Sequence, residues 1–171
     1  MLRLLTRATA GALQHPAMSA SQPNQDESAI RDLVDVLVRA IRSKDVDLAM
    51  SVFAPEVESF DLGPDLRHGG GKPFHDRWCK LFEAYRGAID YDIHDWVVMV
   101  CGDIAFSHSL NRTAGTTPAG EALQRWVRWT ACYRRIDGRW RIVHEHVSVP
   151  ADLKSGRAML DQQPPQGTRA A

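Results

Sequence analysis

Three cysteines, Cys79, Cys101 and Cys132, are all that the chain carries, and each sits alone inside an apolar periodic segment. That number and spacing exclude a disulfide framework and a paired-cysteine zinc site, and they suit a reducing cytoplasm. Charge of one sign is also lacking. With 21 basic and 21 acidic side chains and a pI near 7.1, no large field exists to draw nucleic acid or an anionic membrane surface. No apolar run is long enough to span a bilayer, and no internal repeat, glycine-rich phosphate loop or cofactor motif occurs. What is present is the composition of a single globular domain: 171 residues, 44% apolar and 25% charged, enough to bury one substantial core.

The opening MLRLLTRATAGALQHPAMSASQPNQ has two arginines and no acid before Asp26. It stands apart from the fold, as a disordered arm or as the product of an upstream start with Met18 the true beginning; it also bears a weak resemblance to an organelle presequence. Periodicity begins at Asp26. Ile30, Leu33, Val34, Leu37 and Ile41 share one helical face, with Arg31, Asp32, Asp35 and Arg39 largely opposite. Asp45 offers an N-cap for a short second helix that Pro55 stops. Residues 56–61 read as a strand, the Gly69, Gly70, Gly71 run as a loop, and Pro73 as the first turn of a third helix that Gly87 ends.

Beyond Gly87 the period becomes strand-like. Long strands are predicted over 91–101, 104–113, 121–136 and 139–149, turning at Gly102 and Asp103 and at Asp137 and Gly138. A strand near sixteen residues must bend, and a bulge is the usual device. Helices first and an antiparallel meander second give an α+β domain over residues 26–152, followed by a tail, 153–171, that loses periodicity and is expected to be mobile.

The order of helix, short helix, FAPEVESFDLGPDL, GKPFHDRWCKLF and a meander closing on RRIDGRWRIVHEHVSVP resembles the SnoaL-like, ketosteroid-isomerase-like branch of the nuclear-transport-factor-2-like superfamily. The resemblance implies a cone-shaped fold, with about three N-terminal helices on a strongly bent antiparallel sheet enclosing a pocket that is mostly metal-free. It places Asp61 where ketosteroid isomerase has its general base, also an Asp. That enzyme's two oxyanion donors, a Tyr and a protonated Asp, fall here on Leu37 and Thr130. Steroid isomerisation by that route is therefore not expected.

Four residues form the candidate acid and base set: Asp61, His108, His144 and His146. Asp61 at the inner end of a strand suits proton abstraction if desolvated, although an Asp just before Gly63 and Pro64 also serves as a turn residue. His144 and His146 share a strand face, with Glu145 and Val147 on the other. The pair is also an HxH metal element, with Asp61 or His108 as the third ligand, but no fixed spacing supports it and no metal is expected. For substrate binding the candidates are Trp126, Arg128 and Thr130, taken as the inward face of their strand, together with Arg112 and Trp78. Trp78 also reads as core at helical spacing. The alternate set, including Trp129 and Tyr133, would then form an outer sheet face suited to a homodimer. A bulge would exchange the two sets. The functional expectation is a cofactor-independent acid and base enzyme of isomerase, cyclase, dehydratase or hydrolase type acting on a small organic molecule; the alternative is a non-catalytic binding or assembly module of the same fold.

Overall fold

The computed structural model describes residues 21–170, so the opening arm lies almost wholly outside the described residues. In chain order the elements are helix α1 (Ser21–Ser43), helix α2 (Val46–Met50), strand β1 (Phe53–Phe60), strand β2 (His68–Gly69) and helix α3 (Lys72–Glu83). Strands β3 (Arg86–Cys101), β4 (Ile104–Thr116), β5 (Ala122–Ile136), β6 (Arg139–Ser148), β7 (Ala151–Asp152) and β8 (Arg157–Ala158) follow. The α+β class, the three helices and the long meander are those the sequence predicts. The six-stranded sheet runs β2-β1-β6-β5-β4-β3. It is mixed rather than wholly antiparallel, because β1 lies parallel to β6, with Ser59 opposite Glu145. The intervening β2, α3 and β3 to β5 provide the long crossover that a parallel pair requires.

Local chemistry explains the boundaries. Asp45 caps α2 by accepting from the Leu48 N–H at 2.9 Å, which satisfies one of the donors left free at a helix start. Pro73 occupies the first turn of α3, where its missing N–H costs nothing. That helix stops at Glu83, before Gly87, which instead falls within β3. Within the glycine run, Gly70 is required by space: a Cβ there would lie 2.0 Å from the Pro55 carbonyl oxygen, an approach only glycine permits. Asp137 and Gly138 both have positive φ, 49° and 75°, as the two-residue hairpin between β5 and β6 demands.

The core lies between α1, α3 and one face of the sheet. Ile30, Leu33, Val34, Leu37 and Ile41 are all buried, so the predicted apolar stripe of α1 is the one that packs, each such side chain contributing about 1.5–3 kcal/mol of transfer free energy. Of four register irregularities in the sheet among the described residues, two, in β3 and β6, are single-residue bulges. In β3, His94 pairs with Leu110 and Val97 with His108, leaving Asp95 and Trp96 opposite a single residue; Asp95 takes a positive φ of 49°. In β6, Ile142 pairs with Tyr133 and His144 with Cys132, so Val143 is the extra residue. Toward the C-terminus β7 pairs with β8, and further on the Arg169 carbonyl accepts from the Asp95 N–H at 2.8 Å while the Arg169 N–H donates to Asp95 Oδ1 at 2.9 Å. No helix among the described residues is long and apolar enough to cross a membrane.

Candidate functional site

A cavity of about 180 Å³ lies between the helices and the concave face of the sheet. Its apolar wall includes Leu37, Ile41, Phe74, Trp78, Ile89 and Val127, and into it project Asp61, Arg77, Tyr91, Asn111, Arg125, Trp129 and Glu145. Such a pocket, mostly apolar with a few convergent polar groups, is the usual form of a small-molecule site.

Glu145 is the buried acid, only 5% exposed. Ser59 donates to its Oε1 at 2.9 Å and the Trp129 indole N–H to its Oε2 at 3.0 Å. Burial, followed by the nearby Asp61 carboxylate, pushes its pKa up to about 7, against the pull of those two donors and Arg77. Its inward aim follows from the Val143 bulge. Trp140 and Ile142 point into the core; the extra residue flips the alternation, and Glu145 and Val147 continue the inner face.

Asp61, just past β1, is held by Arg77 of α3, whose Nε donates to Asp61 Oδ2 at 2.9 Å and whose Nη2 donates to the same oxygen. The Leu62 N–H donates to Oδ1. Both carboxylate oxygens thus accept hydrogen bonds, which hold Asp61 in place near Glu145. Across the cavity, Ser109 donates to Asn111 Oδ1 at 2.7 Å, and the Asn111 amide donates to the Tyr91 hydroxyl oxygen at 2.7 Å. The Tyr91 hydroxyl proton therefore has no acceptor among the described residues and is free for a ligand oxygen. Burial, reinforced by the Glu145 carboxylate, raises the Tyr91 pKa, so the phenol stays protonated.

Of the residues singled out from the sequence, Asp61 and Trp78 line this cavity. Trp78 also packs against Phe53, Phe74 and Phe82. The others stand elsewhere. Arg128 and Thr130 are exposed on the outer face, and Trp126 lies there half-buried against His94, ring centroids 4.9 Å apart. His108, Thr130 and His146 form a row across β4, β5 and β6, also outside. His144 points outward too, with its Nδ1 2.9 Å from the Glu58 carbonyl oxygen and its ring against Phe60. Arg112 is held by Asp90 and Asp92. Trp129 and Tyr133, expected outside, are 3% and 1% exposed and face the helices.

The physical reason is plain on β5. Its all-apolar set Val127, Trp129, Ala131 and Tyr133 has helices to bury against, and the hydrophobic term overrides the appeal of a polar Trp, Arg, Thr lining. Glu145, Tyr91, Asn111 and Arg77 were missed by sequence reasoning. The available signal for Glu145 was its place between the apolar Ile142 and Val147, which the conspicuous histidines on either side obscured. Among the described residues no group of three or more His, Cys, Asp or Glu is placed to hold a metal ion.

Comparison with known proteins places this architecture. No curated protein matches the chain. Among solved structures, an NTF2-like protein of unknown function from Pseudomonas putida superimposes with a TM-score of 0.75 at 28% identity, covering 82% of this chain and 98% of its own. A ketosteroid isomerase-like protein from Erwinia carotovora atroseptica gives 0.64 at 17% identity, covering 73% and 96%. The association domain of CaMKII from C. elegans gives 0.61 at 22%, covering 75% and 99%; these last two likenesses are of fold alone. The model of the SnoaL-like domain matches residues 30–152, and the chain therefore belongs to the SnoaL-like family within the NTF2-like fold.

Proposed function

We propose that this protein is a cofactor-independent acid and base enzyme acting on a small organic molecule inside the cavity. The observation that carries the reading is Glu145: a buried carboxyl with a pKa pushed up to about 7, in a pocket that also holds a free phenolic proton. A group poised near neutrality is suited both to take and to return a proton. In its ionised form Glu145 removes a proton from a carbon next to a substrate carbonyl. The C–H electron pair moves into a new carbon–carbon double bond, and the carbonyl π pair moves onto oxygen. There the Tyr91 O–H donates a hydrogen bond to the developing charge, the role the missing donors at Leu37 and Thr130 would otherwise play. The protonated Glu145 then returns the proton to the same or a conjugated carbon. Asp61, expected as the base, is assigned instead to setting the local charge with Arg77, because a guanidinium is paired to it, whereas Glu145 accepts, among the described residues, only from the neutral donors Ser59 and Trp129.

The test is exchange of α-protons for deuterium in a panel of cyclic ketones, followed by NMR in heavy water. Glu145→Gln should slow exchange by about 10²-fold or more, and Tyr91→Phe by a smaller factor. Exchange that proceeds at the parent's rate in both variants sinks the proposal. The three cysteines stand unpaired, which supports a reducing compartment, the cytoplasm.

The outer sheet face supports a homodimer, as the sequence reading held, though through different residues. Val97, Met99, Ile104 and Phe106 are all exposed there, Ile104 by 60%. A contiguous apolar sheet surface of this kind suits a second copy of the chain.

A further inference from the structure

One cation in the cavity has no partner among the described residues. The chain has five partly buried arginines among the described residues: Arg77, Arg112, Arg125, Arg135 and Arg141. Arg77 donates to Asp61, Arg112 to Asp90 and Asp92, Arg135 to Asp26 and Asp103, and Arg141 to the Ser51 carbonyl. Arg125 makes no hydrogen bond or ion pair among the described residues, yet it lines the pocket. Its direction is fixed by alternation: it shares the inner face of β5 with Val127 and Trp129. Opposite it on β4 is Thr113, and beside it is the Tyr85 ring, on whose hydroxyl the Arg125 charge acts. Tyr85 can lie this close to the sheet because residue 115 is glycine: a Cβ there would be 2.8 Å from the Tyr85 ring.

The charges in the cavity make the gap specific. Arg77 is paired with Asp61, so Arg125 is the cavity cation that no carboxylate among the described residues holds. Trp129, whose indole N–H is bonded to Glu145, lies four residues along β5 from Arg125, about 13 Å of strand. Between them the wall is Val127 and other apolar groups. An arginine guanidinium matches a carboxylate with two parallel N–H donors, and its hydrogen bonds to an anion are stronger than to a neutral group.

We propose that Arg125 binds the carboxylate of the substrate, so that the pocket takes an elongated organic monoanion: an acid group at Arg125, a flat apolar body against Val127 and Trp129, and the reacting carbon at Glu145. This rests on the reading of the cavity as the substrate site. The test compares 2-naphthoate with its neutral isostere 2-naphthamide, titrated into the full chain and followed by backbone amide shifts in two-dimensional NMR. The acid should bind at least tenfold more tightly than the amide, with shifts at Trp129 and Glu145. Arg125→Gln should bring the acid down to the amide's affinity, weakening the acid far more than the amide, while Arg125→Lys keeps part of the preference and controls for folding. Equal binding of the two probes, or an acid preference that survives Arg125→Gln, overturns the proposal while leaving the pocket reading intact. If neither probe shifts any cavity residue, both readings fall.

Discussion

On the inner face of β6, Glu145 is sealed between Ser59, Trp129 and the cavity, whereas His144 and His146, one residue away on either side, stand on the outer face beside Phe60. Across the sheet, Arg112 with Asp90 and Asp92 outside is matched by Arg77 with Asp61 inside, and the two arginines are equally exposed, at 23%. The difference lies in Glu145, which has no counterpart on the outer face among the described residues. At Glu145 burial, with the Asp61 carboxylate adding to it, raises the pKa far enough for chemistry at neutral pH. Residue type alone therefore says little about role in this fold; the face decides.

The largest effect should come from exchanging weight between the two faces of β5. Tyr133 is 1% exposed and bonded to Ser107 at 2.8 Å, while Thr130 is exposed on the other side. Tyr133→Ala removes a buried aromatic and leaves Ser107 without its partner, and should cost about 3–5 kcal/mol in urea unfolding. Thr130→Ala should stay within about 0.5 kcal/mol. Similar losses for the two would mean that the faces are assigned the wrong way round.

The features that were legible in the sequence are those fixed by local period. The α1 stripe, the Asp45 cap, Pro73 in the first turn of α3 and the Asp137 and Gly138 hairpin all follow from interactions within a few residues. The strand faces were not legible in the same way. On β6 a plain alternation from Trp140 and Ile142 puts His144 and His146 inside, and only the extra residue Val143 reverses it. Nothing in RIVHEHVS marks that bulge, because it is set by pairing with Cys132 and Tyr133 on β5 and by the register with β1. The Asp95 and Trp96 bulge of β3 is equally non-local. The candidate site inherited this parity: Asp61 was found because the family resemblance places a carboxylate at the end of its strand, and Glu145 was missed because its face depends on a partner strand. On β5, where no bulge intervenes before Trp129, the apolar set was visible and its inward destination was the more economical physical reading.

Glu145 gives a sharper, somewhat smaller contrast. An acid with an ordinary pKa of 4.5 when unfolded and about 7 when folded binds more protons in the native state between those two pH values. Stability should then fall as pH rises through this window, be fully present below it, and above it carry the whole penalty, about 3 kcal/mol. Glu145→Gln keeps the shape and the Ser59 and Trp129 neighbours but cannot ionise, so its stability should lose that slope and exceed the parent's by more at pH 8 than at pH 5. His144→Ala and His146→Ala, on the outer face, should leave the same slope in place. Urea unfolding of the parent and the three variants at intervals between pH 4.5 and 8 measures this directly. A slope that survives Glu145→Gln, or that disappears with either histidine, would move the titrating group from the inner face of β6 to the outer one, and the acid and base reading of the cavity would go with it.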